Sequence, residues 1–152
     1  MNTAQQIQSS PATAAGFDVD NMFDEVEATH RVVVIKTDEG DEKSGFIIVG
    51  KNSSQYQAEN ELIRIENIKR SSKRNKAVDT STEEGAKLVA QTIANNERRL
   101  ALAVVVDWFG FDSAGKPLPF DKAMVARMFD KKPTWLTEVG NALDTDGNFT
   151  KV

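Results

Sequence analysis

The sequence predicts an α+β domain, a small antiparallel β-sheet built on the hairpin 29–50 and packed against about four helices. Three observations lead there. Two β-rich runs, THRVVVIK (29–36) and KSGFIIVG (43–50), flank the turn-forming TDEGDE. Four later stretches carry apolar residues at helical spacing. The chain has 152 residues, 39% apolar and 28% charged, which suits one globular domain with a modest core.

In chain order, residues 1–16 are rich in Gln, Ser, Thr and Ala and bury too little to offset chain entropy, so a disordered tail is expected there. One domain then runs over 17–149. It opens on FDVDNMFDEVEA (17–28), where Phe17, Val19, Met22, Phe23 and Val26 stand among five acidic residues. This segment reads either as a short docking helix or as an arm that orders only against something else. The continuous apolar runs of the hairpin suggest strands covered on both faces, by helices or by another chain.

KNSSQYQAENELIRIENIKR (51–70) reads as a helix. Ser54 and Gln57 have capping-box spacing, and Ala58, Leu62, Ile65 and Ile68 form its apolar stripe. A polar connector, KRSSKRNKAVDT, leads to a second capping signal, Ser81 with Glu84. Leu88, Val89, Ile93 and Leu100 mark the buried side of the next helix, with Ala86, Ala90 and Ala94 allowing close approach. The β-branched residues 104–106 leave its end open between more helix and a new strand. DSAGK (112–116) is a turn, and Pro117 and Pro119 hold an extended segment. Asp121 caps a helix with Met124, Val125, Met128 and Phe129 at its spacing. Pro133 starts a last short helix through Trp135, Leu136, Val139 and Leu143.

Chemistry finds little to work with. The net charge is −4, there is no cysteine, and the longest apolar stretch, 100–106, has seven residues. No leader is visible at the start, and no run reaches membrane-span length. His30 is the sole histidine and reads as an ordinary strand residue. DTDG (144–147) lacks the spaced carboxylates and late Glu of a calcium loop and reads as a helix-ending turn, with Gly147 needing positive φ. DEGDEKSG is too acidic for a phosphate cradle. Ser53, Ser54, Ser71 and Ser72 have no base beside them. No catalytic residues, metal or cofactor are expected.

Two features remain. The basic cluster Lys69, Arg70, Lys73, Arg74 and Lys76 could grip phosphates or an acidic partner. The favoured reading is that it complements a helix C-terminus before entering a solvated connector, and no interleaved aromatics support stacking on bases. The 108–120 segment, with its tryptophan, phenylalanines and prolines, is either a core plug under a loop or an apolar interaction surface. Contact residues on the second reading are Trp108, Phe109, Phe120, Met128, Phe129 and Trp135.

LALAVVVDWFGFDSAGKPLPFDKAMVARMFDKKPTWLTEVGNALDTDGNF resembles the C-terminal part of tail assembly chaperones of long-tailed (siphovirus-type) bacteriophages. The pattern is an apolar helix running into a Val-Trp segment (Val105, Val106, Trp108, Gly110), a glycine turn and Pro-Phe (Gly115, Pro119, Phe120), and an Ala-containing helix (Ala123, Ala126). A short helix before an Asn-Phe ending (Trp135, Ala142, Asn148, Phe149) completes it. SGFIIVGKNSSQY (44–56) also looks like the family's strand and helix start. The likeness covers roughly residues 29–149, and its specificity lies in the order of the pieces. The polar N-terminus and the basic connector fall outside it. The resemblance implies a non-enzymatic viral protein of the host cell cytoplasm. Such a protein binds the tape measure protein, keeps its apolar helical segments soluble and helps recruit the major tail protein. In many members a frameshifted product carries an extra C-terminal domain. Nucleic acid and membrane are not expected partners, and self-association is compatible with the reading. The alternative is a structural virion protein: a tail tube, tail terminator or head–tail connector subunit. A host-directed inhibitor that binds nucleic acid or its machinery would rest on 69–76 alone.

Overall fold

The structure, a computed structural model, describes residues 16, 19, 28–73 and 78–150. The disordered tail and the arm or docking helix expected before residue 28 therefore lie outside the described residues, apart from Gly16 and Val19.

The expected α+β architecture is present. Strands β1 (Thr29–Lys36), β2 (Glu42–Val49) and β3 (Val105–Phe109) form an antiparallel sheet in the order β1-β2-β3. Helices α1 (Ser54–Lys73) and α2 (Glu83–Val104) lie between β2 and β3 in sequence. A two-stranded hairpin, β4 (Asp112–Ser113) and β5 (Lys116–Pro117), follows. Then come α3 (Lys122–Lys131), α4 (Pro133–Leu143) and a 3₁₀ turn over Asp146–Asn148.

Register places the core on one side of the sheet. Val32, Phe46 and Trp108 stand opposite one another across the three strands, and directly paired residues share a face. Val125 and Phe129 of α3 and Val139 and Leu143 of α4 cover them. Phe46 is fully enclosed, its ring 5.5 Å from those of Phe111 and Phe129 and 6.1 Å from that of Trp135. These tilted and edge-on contacts suit the aromatic quadrupole.

Coverage of the second sheet face by the chain's own helices does not hold among the described residues. The second face carries the row Arg31, Ile47 and Asp107, of which the two charged residues are exposed. The Phe109 ring lies across Gly45, where an added Cβ would come within 2.8 Å of it and would strike the Val32 carbonyl. The Arg31 guanidinium sits 3.9 Å above that ring. Three irregularities explain why the runs look unbroken: register shifts between Val33 and Ile35, between Ile35 and Lys36, and between Ile47 and Ile48 interrupt the alternation that marks a half-buried strand.

Local signals set the helix ends, with small offsets. Ser53, not Ser54, caps α1, its hydroxyl accepting the Tyr56 N–H at 3.2 Å, while Gln57 donates from its side chain to the Lys51 carbonyl at 2.7 Å. Thr82, not Ser81, caps α2 by accepting the Gly85 N–H at 3.0 Å. Ser81 instead closes a turn on Asp79, donating from its N–H at 2.9 Å and its hydroxyl at 2.6 Å, which holds the Asp79 carboxyl below its ordinary range. Asp121 caps α3 as expected, accepting the Ala123 N–H at 3.0 Å, and Pro133 begins α4. Gly147 lies in the 3₁₀ turn and is not among the positive-φ glycines, so the turn there is made without a left-handed residue.

The open choice at 104–106 resolves as a direct helix-to-strand junction. α2 ends at Val104, and Val105, already extended at φ −73° and ψ 113°, starts β3. Both valines are fully buried. Lys122 donates from Nζ to the Ala103 carbonyl at 3.0 Å, satisfying one free acceptor of the α2 C-terminus, and burial pushes its ammonium pKa down.

Candidate functional site

The 104–120 segment is mainly architecture. β3 runs to Phe109 and turns at Gly110, whose carbonyl accepts the buried Ser44 hydroxyl at 2.7 Å. The β4–β5 hairpin reverses through Ala114 and Gly115, at φ 51° and 76°. Pro117 and Pro119 keep the return extended, so Leu118 passes back over β3. The Trp108 indole N–H donates to the Leu118 carbonyl at 2.9 Å, and Phe111 and Phe120 meet the indole edge-on at 5.6 and 5.4 Å.

That geometry sorts the six expected contact residues. Trp108 and Phe129, at 7% and 1% exposure, belong to the core, and as folded they offer nothing to a partner. The reason is register: Trp108 faces the same side of the sheet as Phe46, and the Pro-Leu-Pro return closes over it. Phe109, Met128 and Trp135 are half-buried. Phe120, at 36%, is the most open of the set. Met124 and Met128 floor a shallow, open depression of about 550 Å³ along α3, bordered by Arg127, Asp130 and Lys131.

The larger apolar exposure lies elsewhere. α1, 20 residues long, buries only Ile63. α2, 22 residues long, buries side chains only near its C-terminal end, at Ala101 and Val104. Leu62, Ile65 and Ile68 on α1 are 51%, 38% and 63% exposed, and Leu88 and Ile93 on α2 are 38% and 53%. Ala58, Ala86, Ala90 and Ala94 are exposed beside them. The stripes that periodicity marked as buried are thus largely open, and these residues were missed as candidates. Helical spacing reveals that a face needs cover without saying whether the chain itself supplies it.

The two helices are instead joined through charge. Arg99 of α2 donates to Glu59 and Glu66 of α1, each at 2.6 Å, clamping points two helical turns apart on α1. Arg99 holds the Glu66 carboxyl below its ordinary range. A carboxyl depressed in the folded state adds stability above its unfolded pKa, and that stability is lost as pH falls through the lower folded value. The α1–α2 pairing is therefore expected to loosen below pH ~4. Arg99→Gln removes this acid dependence while leaving that of the sheet domain. Amide exchange in α1 across pH 3–6 measures it; identical pH profiles for the two proteins would refute the clamp.

The remaining polar candidates have structural roles. His30 lies in β1 with its ring edge-on to Phe149 at 6.0 Å. Lys51 pairs with Asp144 at 2.7 Å, which raises the lysine pKa, and so ties the α1 entry to the end of α4. Among the described residues no three His, Cys, Asp or Glu side chains gather as a metal site, and no helix is long and apolar enough to cross a membrane. Lys69, Arg70 and Lys73 occupy the exposed C-terminal end of α1, where they complement its dipole, while Arg74 and Lys76 lie outside the described residues. No family model, no curated protein and no solved structure matches this chain.

Proposed function

We propose that this chain is a tail assembly chaperone of a long-tailed bacteriophage, acting in the host cytoplasm by binding the tape measure protein and aiding recruitment of the major tail protein, with no bond made or broken. The observation that carries the reading is the exposed apolar stripe on each of two long helices: Leu62, Ile65 and Ile68 on α1, and Leu88 and Ile93 on α2. A client made of apolar helical segments fits such faces, since helix-in-groove recognition pairs apolar residues at three- and four-residue spacing. The order of motifs from Val105 to Phe149 supports the family assignment and supplies the platform from which the helices extend. Phe120 and the Met124–Met128 depression offer a second, smaller patch.

Co-expression with a tape measure protein tests this. The client is expected to stay soluble with the wild-type chain and to aggregate with Ile65→Glu/Ile93→Glu, both exposed positions whose replacement spares the core. Equal client aggregation with and without the wild-type chain overturns the proposal. So does recovery of the chain in stoichiometric amount from finished virions, which would favour the structural-protein reading.

A further inference from the structure

The uncommitted charge on the open half of α1 is positive. Glu61 is tied to Arg64 at 3.1 Å and Glu66 to Arg99 at 2.6 Å, whereas Lys69, Arg70 and Lys73 make no ion pair among the described residues. At 100° per residue, Leu62, Ile65 and Lys69 fall on one stripe, with Ile68 and Lys73 flanking it. Glu83 and Glu84 of α2 sit at that helix's own first turn, where they complement its N-terminal dipole.

The same chain carries a segment of opposite character. Residues 17–27, FDVDNMFDEVE, hold five carboxylates and no base, with Val19, Met22, Phe23 and Val26 at the spacing of one apolar face. Val19, which the structure describes, is 55% exposed. Position allows the two to meet. Thr29 pairs with Val49, only a few residues before α1 begins at Ser54, so the chain preceding β1 starts beside the base of α1. Ile65 lies ~17 Å up that helix. The residues before β1 span up to ~40 Å if extended and ~18 Å as a helix, so Leu62 and Ile65 lie within reach of either form and Lys69 within reach of the extended one.

We infer that residues 17–27 dock on the Leu62–Ile65–Lys69 face of α1 in the same chain, with Met22, Phe23 and Val26 on the apolar stripe and the carboxylates toward Lys69, Arg70 and Lys73. The docking is independent of the chaperone reading.

The chain has no cysteine, so paired labels go in cleanly. Nitroxides at Asn21→Cys and Asn67→Cys, placed off the apolar stripe, report their separation by pulsed electron resonance on the full chain without client. Labelled protein is diluted in unlabelled protein, and circular dichroism checks that each variant keeps its fold. A narrow, short distance component is expected. It should be lost in Ile65→Ser/Lys69→Glu and weakened in high salt. It should be lost again in Lys69→Glu/Lys73→Glu and restored when Asp20→Lys/Asp24→Lys is added. A broad distribution in the wild type overturns the inference. So does a narrow component that ignores these substitutions, or one that vanishes on dilution and therefore joins two copies. Because no client is present, failure here leaves the chaperone reading standing, and failure of client rescue leaves the docking standing.

Discussion

Phe46→Ala is expected to lower the free energy of unfolding by ~3–5 kcal/mol, much of what a domain of this size possesses. Phe46 is fully enclosed at the middle of the central strand, touches the rings of Phe111, Phe129 and Trp135, and stands opposite both Val32 and Trp108. Truncation removes ring contacts with α3, α4 and the segment after β3 at once. The backbone cannot close the void, because β2 is held by strands on both sides. Ile93→Ala is the control. It deletes a smaller apolar group from an open face of α2 and is expected to change stability by no more than ~0.5 kcal/mol. Urea denaturation of the two variants decides the matter. A large loss for Ile93→Ala would mean that something already covers α2 in the free protein, and a small loss for Phe46→Ala would remove the core from the sheet.

That contrast marks where sequence reading succeeds and where it stops. The hairpin, the four helices, the Asp121 cap and the Pro133 start follow from local chemistry: period, capping and proline geometry act over a few neighbouring residues. The caps of α1 and α2 shift by one residue because Ser53 and Ser54, like Ser81 and Thr82, present adjacent hydroxyls, and backbone direction alone selects between them. Burial is a different kind of property. Ile65 and Val125 carry equivalent periodic signals, yet one is open and the other sealed, because α3 lies against the sheet while α1 packs mainly on α2 through Arg99. Trp108 shows the converse: an aromatic beside a glycine turn and two prolines reads either as a core plug or as an anchor for a partner. Only the pairing of β3 with β2 reveals that it points into the core. The position that sequence leaves most hidden is Phe46, whose ring partners are 65 to 89 residues away along the chain.

Gly110→Ala is expected to cost ~2–4 kcal/mol, and Gly115→Ala only ~1 kcal/mol, although both glycines are left-handed. Their φ values, 72° and 76°, are nearly the same, so the conformational penalty of adding a Cβ is shared. Their surroundings differ. At Gly115 an added Cβ meets nothing within 4 Å, whereas at Gly110 it would strike the Lys43 carbonyl oxygen and lie 3.0 Å from the Ser44 Cα. Both obstacles are backbone of β2, which cannot rotate aside as a side chain would. Relief requires the turn after β3 to move away from β2, and that movement carries off the Gly110 carbonyl that accepts the Ser44 hydroxyl at 2.7 Å. Ser44 is 2% exposed, so its hydroxyl would be left buried without a partner, a further ~1–3 kcal/mol at full loss. Ser44→Ala separates the two contributions. If the hydroxyl bond matters only while the turn is in place, Ser44→Ala lowers stability by itself but reduces the additional cost of Gly110→Ala. Denaturation midpoints of the two single variants and the double variant measure that coupling. Strict additivity would show that the clash alone, without the lost hydrogen bond, sets the penalty, and equal losses at Gly110 and Gly115 would show that close approach to β2 contributes nothing.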